Sequence, residues 1–151
     1  MESKAFTNDA DIRAFTLAGK ATLTLTSLKS GNRFTYKVKQ ATDQNDKPKD
    51  WWFVSVLSGP DNETSYTYIG SLGSNAADGT VTFRRTKGSK VTEDAPSFKG
   101  FRYFWDHVFN GKMPPHMEVR HEGKCGRCGR KLTVPDSIDR GIGPECYGRM
   151  N

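Results

Sequence analysis

Three cysteines near the end of the chain limit how its C-terminal segment can fold. Two residues separate Cys125 from Cys128, and this spacing lets a tight turn direct two thiolates to one metal ion. Gly126 and Gly129 allow the positive φ angles that such a turn needs. Cys146 adds a third sulfur after 17 intervening residues, a separation typical of one four-ligand zinc site. The spacing therefore predicts Zn²⁺ bound by the three cysteines.

The fourth ligand is predicted to be His121, four residues before the first cysteine, with His116 and His107 as the alternatives. A disulfide would leave one of the three cysteines over, and a chain without a signal peptide is expected to stay in a reducing compartment. A redox-active Cys-x-x-Cys pair normally opens a helix after a strand. The glycine- and arginine-rich surroundings here do not indicate one, so zinc is the favoured interpretation.

The zinc is predicted to be structural rather than catalytic. A catalytic zinc needs an open coordination position and a general base nearby. Glu122 and Glu145 are close in sequence, yet no His-x-Glu or His-Glu-x-x-His pattern accompanies them. The chain also contains no P-loop, no Gly-x-Ser-x-Gly and no dinucleotide-binding fingerprint. We therefore expect a binding protein and not an enzyme.

The cysteines belong to a longer and more specific pattern. It reads Cys-Gly-Arg-Cys-Gly-Arg-x-Leu over 125–132 and Gly-Ile-Gly-Pro-x-Cys over 141–146. This pattern resembles a small zinc-ribbon-like domain of unknown function that occurs in many bacteriophage and prophage proteins, usually at the C-terminus. The upstream segments 15–25, 33–38 and 53–60 are similar to the N-terminal part of such phage proteins, so the resemblance covers most of the chain. It implies metal binding, a phage origin and a location in the host cell cytoplasm, and it carries no established activity.

Upstream of the cysteines, segments of alternating apolar and polar residues predict short β-strands, and the segment 52–57, which is apolar on both faces, predicts the central one. Five strands are predicted, over 22–26, 33–39, 52–57, 66–72 and 80–85. Because turns join them in order, we expect an antiparallel five-stranded sheet or a small open barrel. Residues 1–11 are expected to be a loosely held start, and residues 12–17 a turn of helix or an extended segment.

After the strands, the apolar spacing changes to three and four residues, which is typical of one face of a helix. The residues at this spacing are Phe98, Phe101, Phe104, Trp105, Val108 and Phe109. We predict an α+β domain over residues 1–115, in which this aromatic-rich helix covers one side of the sheet. Residues 116–151 are predicted to form a zinc-ribbon or treble-clef-like module, with a short strand over 117–121 and a closing helical turn over 144–150.

A net charge of +6 favours polyanionic partners without requiring them. The candidate nucleic-acid contacts are Arg33, Lys37, Lys39, Arg84, Arg85, Arg127, Arg130 and Lys131. Trp51 or Tyr66 would be a stacking platform if exposed. A solvated sheet face with ordinary surface charges is the competing interpretation.

Two functions from different classes follow from these features. The first is a phage-encoded zinc-binding accessory protein that binds DNA or RNA without strong sequence specificity. The alternative is a protein-binding effector that inhibits a host enzyme or an anti-phage defence complex. No membrane partner is expected, because no run of 18 apolar residues occurs in the chain.

Overall fold

Most of the chain forms one antiparallel sheet, and buried and exposed side chains largely alternate along its strands. The computed structural model describes residues 4–61, 64–132, 135–143 and 146–147. The strands are β1 (Lys4–Ala5), β2 (Lys20–Ser27), β3 (Arg33–Thr42), β4 (Pro48–Leu57), β5 (Tyr66–Ser74), β6 (Val81–Arg84) and β7 (Met117–His121). The helices are α1 (Asp9–Thr16), α2 (Pro96–Phe109) and α3 (Pro135–Arg140).

The sheet is open and has the strand order β1-β7-β2-β3-β4-β5-β6. The prediction of an antiparallel meander is confirmed for β2 to β6, but the predicted number of five strands was wrong, because the sheet has seven. Strand β1 has only two residues, too few to show any alternation.

The second additional strand, β7, was expected as part of the metal module. It instead pairs with β2, from Leu23 opposite His121 to Ser27 opposite Met117. On its other side it pairs with β1. The division of the chain at residue 116 stays a prediction, and the strand that begins the second segment lies inside the sheet.

Helix α2 covers one face of the sheet, as the apolar spacing predicted. Its Phe101 ring lies 5.1 Å from the Tyr36 ring and 4.8 Å from the Phe83 ring. Two buried hydrogen bonds fix its position: the Tyr36 hydroxyl donates to the Ser97 carbonyl at 2.7 Å, and Trp105 Nε1 donates to the Val81 carbonyl at 2.8 Å. Burial also raises the pKa of the Tyr36 phenol, which therefore stays neutral. These contacts make α2 part of the core.

Helix α1 lies on the same side of the sheet. Its N-cap is Asn8, whose side chain accepts the Asp11 backbone N–H at 2.8 Å. Its Ile12 and Phe15 are fully buried. The Leu17 carbonyl just after it accepts a hydrogen bond from Trp52 Nε1 at 3.2 Å. In the part of the chain that the structure describes, no helix is long and apolar enough to span a membrane.

Candidate metal centre and adjoining basic groove

The turn that holds Cys125 and Cys128 is a short hairpin closed by backbone hydrogen bonds. The Cys125 N–H donates to the Arg130 carbonyl at 2.8 Å, and the Gly129 N–H donates back to the Cys125 carbonyl at 2.9 Å. Gly129 has a φ of 80°, as predicted for a tight turn. The turn therefore brings the two sulfurs to one side, where Cys146 joins them.

The three cysteine sulfurs lie within 4.8 Å of one another and form no disulfide. A tetrahedral site with metal–sulfur bonds of about 2.3 Å, as zinc forms, separates its sulfurs by about 3.8 Å. Only a small inward movement would bring these sulfurs to that separation. Cys125 and Cys146 are buried and Cys128 is exposed. The cluster could therefore hold one metal ion at the edge of the protein.

The surroundings shift the pKa values of the Cys125 and Cys146 thiols in opposite directions. Burial alone would raise the pKa of the Cys125 thiol, but N–H donors from Gly143, Cys128 and Arg127 outweigh it, and the pKa lies below its ordinary value. The Gly143 N–H lies 3.3 Å from Cys125 Sγ. Burial, followed by the neighbouring sulfurs, raises the pKa of Cys146 to about 11. A bound cation would reverse this effect, since it lowers the pKa of every thiol that it contacts.

His121, the predicted fourth ligand, is fully buried but lies outside the sulfur cluster. Its Nδ1 accepts the Gly123 N–H at 2.9 Å, so Nε2 carries the proton and donates to the Ile138 carbonyl. Burial also lowers the pKa of the imidazole, which favours this neutral form. The ring packs against both Phe6 and Phe15, with centroid distances of 5.4 and 5.9 Å. Metal binding by His121 would require one of these hydrogen bonds to break, so this geometry does not support the prediction.

The two alternative histidines also lie away from the sulfurs. His107 is on α2 and its Nδ1 donates to the Tyr103 carbonyl at 2.8 Å. His116 is exposed in the turn before β7 and has a φ of 58°. Among the described histidine, cysteine and acidic side chains, none supplies a fourth ligand atom to the cluster.

The cysteine cluster packs directly on α1, through two glycines. A Cβ on Gly126 would lie 2.6 Å from Phe15 Cδ1, and a Cβ on Gly141 would meet the same atom at 2.6 Å. The prediction that Gly126 needs a positive φ was wrong, because its φ is not in that region. What requires glycine there is the close approach of the Phe15 ring. The Gly126 carbonyl also accepts the Lys20 N–H at 2.6 Å, which ties the turn to β2.

A basic groove runs from the cysteine turn onto the sheet face that is opposite α2. We define this groove by the residues that line it from the sheet, Lys20, Lys37 and Lys39, and from the cysteine turn, Lys124, Cys128 and Gly129. Its volume is about 390 Å³. Sequence reasoning missed Lys20, which stands directly opposite Lys39 in the β2–β3 pairing. The groove places four cations next to the candidate metal centre.

The strand register extends this basic surface across five strands. Lys20 pairs with Lys39, Lys39 with Phe53, Phe53 with Ser71, and Ser71 with Arg84. Side chains that stand directly opposite each other share one face of a sheet. Strands lie about 4.8 Å apart, so the row spans about 19 Å. It has cations at both ends and one partly exposed aromatic ring between them.

The other predicted basic residues lie outside the groove. Arg33 is exposed at the start of β3, and Arg130 and Lys131 are exposed on the cysteine turn. Arg85 donates from Nε to the Val91 carbonyl at 2.9 Å, and Arg127 donates from Nη1 to the Cys146 carbonyl at 3.2 Å. The structure therefore brings Lys37 and Lys39 together in the groove and places Arg84 on the same face.

Comparisons with known proteins reach the C-terminal segment only. The model of a family of unknown function (DUF6011) matches residues 115–151, which include β7 and all three cysteines. No curated protein and no solved structure matches the chain. The segment that carries the candidate metal centre is therefore similar to the members of this family.

Proposed function

We propose that the chain is a phage-encoded, non-catalytic zinc protein of the host cell cytoplasm that binds nucleic acid without strong sequence specificity. The observation that carries the proposal is the row of residues across the sheet, in which Lys20, Lys39 and Arg84 share one face. A phage origin is supported by the resemblance of the cysteine pattern to phage and prophage proteins.

Zinc is the proposed metal because thiolates are the ligands that structural zinc prefers. The role proposed for it is structural. With the sulfurs joined through the ion, the turn over 125–130 is held against α1 and β2, and Lys124 and Cys128 keep their places along the basic groove. The ion thus fixes one end of the surface that would contact nucleic acid.

The proposed contacts are to phosphate groups and not to base edges. Lys20, Lys39 and Arg84 are exposed on strands, where they can neutralise a phosphate chain that crosses the sheet. Reading base edges in a duplex normally requires a helix or ribbon that enters a groove with arginine, asparagine or glutamine side chains. The described helices contact the sheet through its other face. Binding should therefore depend weakly on sequence.

The salt dependence of binding tests this proposal. We expect the double variant Lys39→Ala/Arg84→Ala to bind a mixed-sequence oligonucleotide more weakly and to lower the slope of log K against log salt. The slope should fall by about 1.4 to 1.8, since each phosphate contact contributes about 0.7 to 0.9. The matched control is Lys99→Ala/Lys112→Ala, which removes the same charge from α2 and the residues after it.

The control separates local contacts from the effect of net charge. Equal changes in slope for the two double variants would contradict the proposed surface. If the wild type does not bind the oligonucleotide near physiological salt, nucleic acid is not the partner. The alternative function, an effector that binds a host protein, would then be favoured, and a host protein that co-purifies at high salt would identify its target.

A further inference from the structure

A β-bulge in β5 changes which side chains reach the open face of the sheet. Val54 pairs with Gly70, but the next residue, Ser55, pairs with Tyr68, so Ile69 is an extra residue in β5. If the two strands paired without a bulge, Ser55 would pair with Ile69, and Tyr68 would share a face with Gly70 and point into the core. Bulges commonly redirect side chains next to functional sites. Here the bulge keeps Ile69 fully buried and leaves Tyr68 partly exposed on the open face.

The result is a cluster of four aromatic side chains on the face that α2 does not cover. This cluster, the aromatic platform, consists of Trp51 and Phe53 from β4 and Tyr66 and Tyr68 from β5. Phe53 is 39% exposed, which is unusual for phenylalanine in the middle of a sheet. A groove of about 730 Å³ lies over the rings. None of the four belongs to the buried hydrophobic cluster that forms the core.

Contacts among the side chains hold the aromatic platform in one arrangement. The Phe53 ring lies 4.5 Å from the Trp51 ring and 5.9 Å from the Tyr68 ring, both edge to face. The Tyr68 hydroxyl shares a 2.9 Å hydrogen bond with Thr86 Oγ1. These contacts fix the rings before any ligand binds, which reduces the entropy that binding would cost.

Cations border the aromatic platform on the side of the basic groove. Lys37 and Lys39 line both grooves, and Lys37 Nζ lies 4.4 Å from the centre of the Tyr66 ring. Lys39 stands directly opposite Phe53, which places their Cβ atoms about 5 Å apart. A base stacked on the Phe53 ring would thus leave its phosphate within reach of the Lys39 ammonium. Among the described residues that line the two grooves, none is acidic.

We propose that the aromatic platform binds single-stranded nucleic acid by stacking its unpaired bases, while the lysines of the basic groove contact its phosphates. This inference rests on the proposed function and gives it a substrate class. Single-strand binders combine such rings with a cationic groove, because every base has a face that can stack. A duplex keeps its bases stacked internally and would contact only the lysines. The platform therefore selects unpaired strands.

The main test compares a single strand with a duplex of the same length. A labelled thymidine oligonucleotide of about 15 nucleotides, within the site sizes of single-strand binders, should bind more tightly in fluorescence anisotropy than a mixed-sequence DNA duplex of the same length. Phe53→Ala should weaken binding of the single strand about fivefold to a hundredfold, which is the range for one lost base–ring stack. The same variant should bind the duplex as the wild type does. A uridine oligonucleotide of the same length identifies whether DNA or RNA is preferred.

The matched control is Tyr103→Ala. Tyr103 is also 39% exposed, but it lies on α2, on the other side of the sheet. The Tyr103→Ala variant should bind the thymidine oligonucleotide with the affinity of the wild type. Thermal denaturation of both variants establishes that each is folded at the assay temperature.

A second measurement reports contact at the aromatic platform directly. Trp52 and Trp105 are buried, at 6% and 1% exposure, so stacking of a base should quench mainly the fluorescence of Trp51. In Trp51→Phe most of this quenching should disappear, while the ring that remains keeps the affinity within about threefold of the wild type. Quenching that persists in this variant would contradict the assigned contact.

The outcomes separate this inference from the proposed function. Equal binding of single strand and duplex, or unchanged affinity in Phe53→Ala, would overturn the platform and leave the phosphate-binding proposal in place. If binding is lost in Lys39→Ala/Arg84→Ala but not in Phe53→Ala, the platform is likewise overturned and the phosphate-binding proposal stays in place. If neither nucleic acid binds to the wild type, both proposals fail.

Discussion

The sheet with α2 and the region around the cysteines are stabilised in different ways. In the first, continuous strand pairing joins β2 to β6, and buried aromatic rings of α2 fill the space beneath them. In the second, the described residues of 122–147 contain one six-residue helix, two helical residues at 146 and 147, and an isolated bridge between Lys124 and Lys131. A sheet and helix can be specified by apolar periodicity. A region with so little regular structure depends on a few positions with special chemistry.

The two regions nevertheless share one core. Cys125, Ile142 and Cys146 belong to the same buried cluster as Phe6 and Phe15. The ring of Phe15 fills the space that side chains on Gly126 and Gly141 would occupy. Helix α1 is therefore one contact between the regions, and the last two of the following four predictions test how strongly it couples them.

The largest effect is expected when the metal site loses a ligand. Cys128→Ser should bind less than half an equivalent of zinc, whereas the freshly purified wild type should hold about one. The binding free energy of structural zinc is about 10 kcal/mol or more, so hydrogen exchange should become fast over residues 122–143 and stay slow in β3 to β5. Elemental analysis measures the zinc content, and hydrogen exchange measures the local loss of structure.

The control for this prediction is Lys131→Ala, an exposed residue on the same turn. It should keep its metal and its exchange pattern. If wild type and Cys128→Ser contain equal amounts of zinc, the sulfur cluster is not the site that holds it.

The next largest effect is expected in the other region, where Phe101→Ala empties a fully buried site against Tyr36 and Phe83. It should lower the free energy of unfolding by about 3–5 kcal/mol, as should Phe104→Ala. Lys99→Ala, exposed on the same helix, should change it by less than about 0.5 kcal/mol. Denaturant titration followed by tryptophan fluorescence measures both. A Phe101→Ala midpoint equal to that of the wild type would mean that α2 does not pack as described.

The parts of this structure that could be predicted are those whose signal is local. The spacing at 98–109 predicted α2, the alternation predicted β2 to β6, and the Cys-x-x-Cys spacing predicted the sulfur cluster. The bulge at Ile69 could not be predicted, because it depends on how two strands align. It is nevertheless the feature that turns Tyr66 and Tyr68 towards the open face.

The position of His121 is a second feature that could not be predicted from local sequence signals. Its short distance along the chain from Cys125 suggested a ligand, but β7 lies in the sheet and places the imidazole against Phe6 and Phe15. Proximity in sequence could not reveal that Gly123 and Ile138 would use both ring nitrogens. Lys20 was missed for a related reason, since its place in the basic groove depends on strand register.

A smaller effect is expected where the two regions touch. Gly126→Ala would place a Cβ 2.6 Å from Phe15 Cδ1, and overpacking of this kind costs about 1–3 kcal/mol. The variant should lower the free energy of unfolding by that amount and release zinc to a chelator faster than the wild type. The matched control is Gly73→Ala, which has no atom within 4 Å of the added Cβ and should be neutral or slightly stabilising. Unchanged zinc release in Gly126→Ala would argue that the regions are not coupled through Phe15.

The smallest effect is expected at the start of α1, the helix that carries Phe15. Asn8→Ala removes the side chain that accepts the Asp11 N–H, and losing such a cap costs about 1 kcal/mol. Asn8→Ser restores an acceptor at the same position and should recover most of this loss. Because α1 contacts both regions, the midpoints for tryptophan fluorescence and for zinc release should move to lower denaturant together in Asn8→Ala. If only one midpoint moves, α1 belongs to that region alone, and the two regions unfold independently of each other.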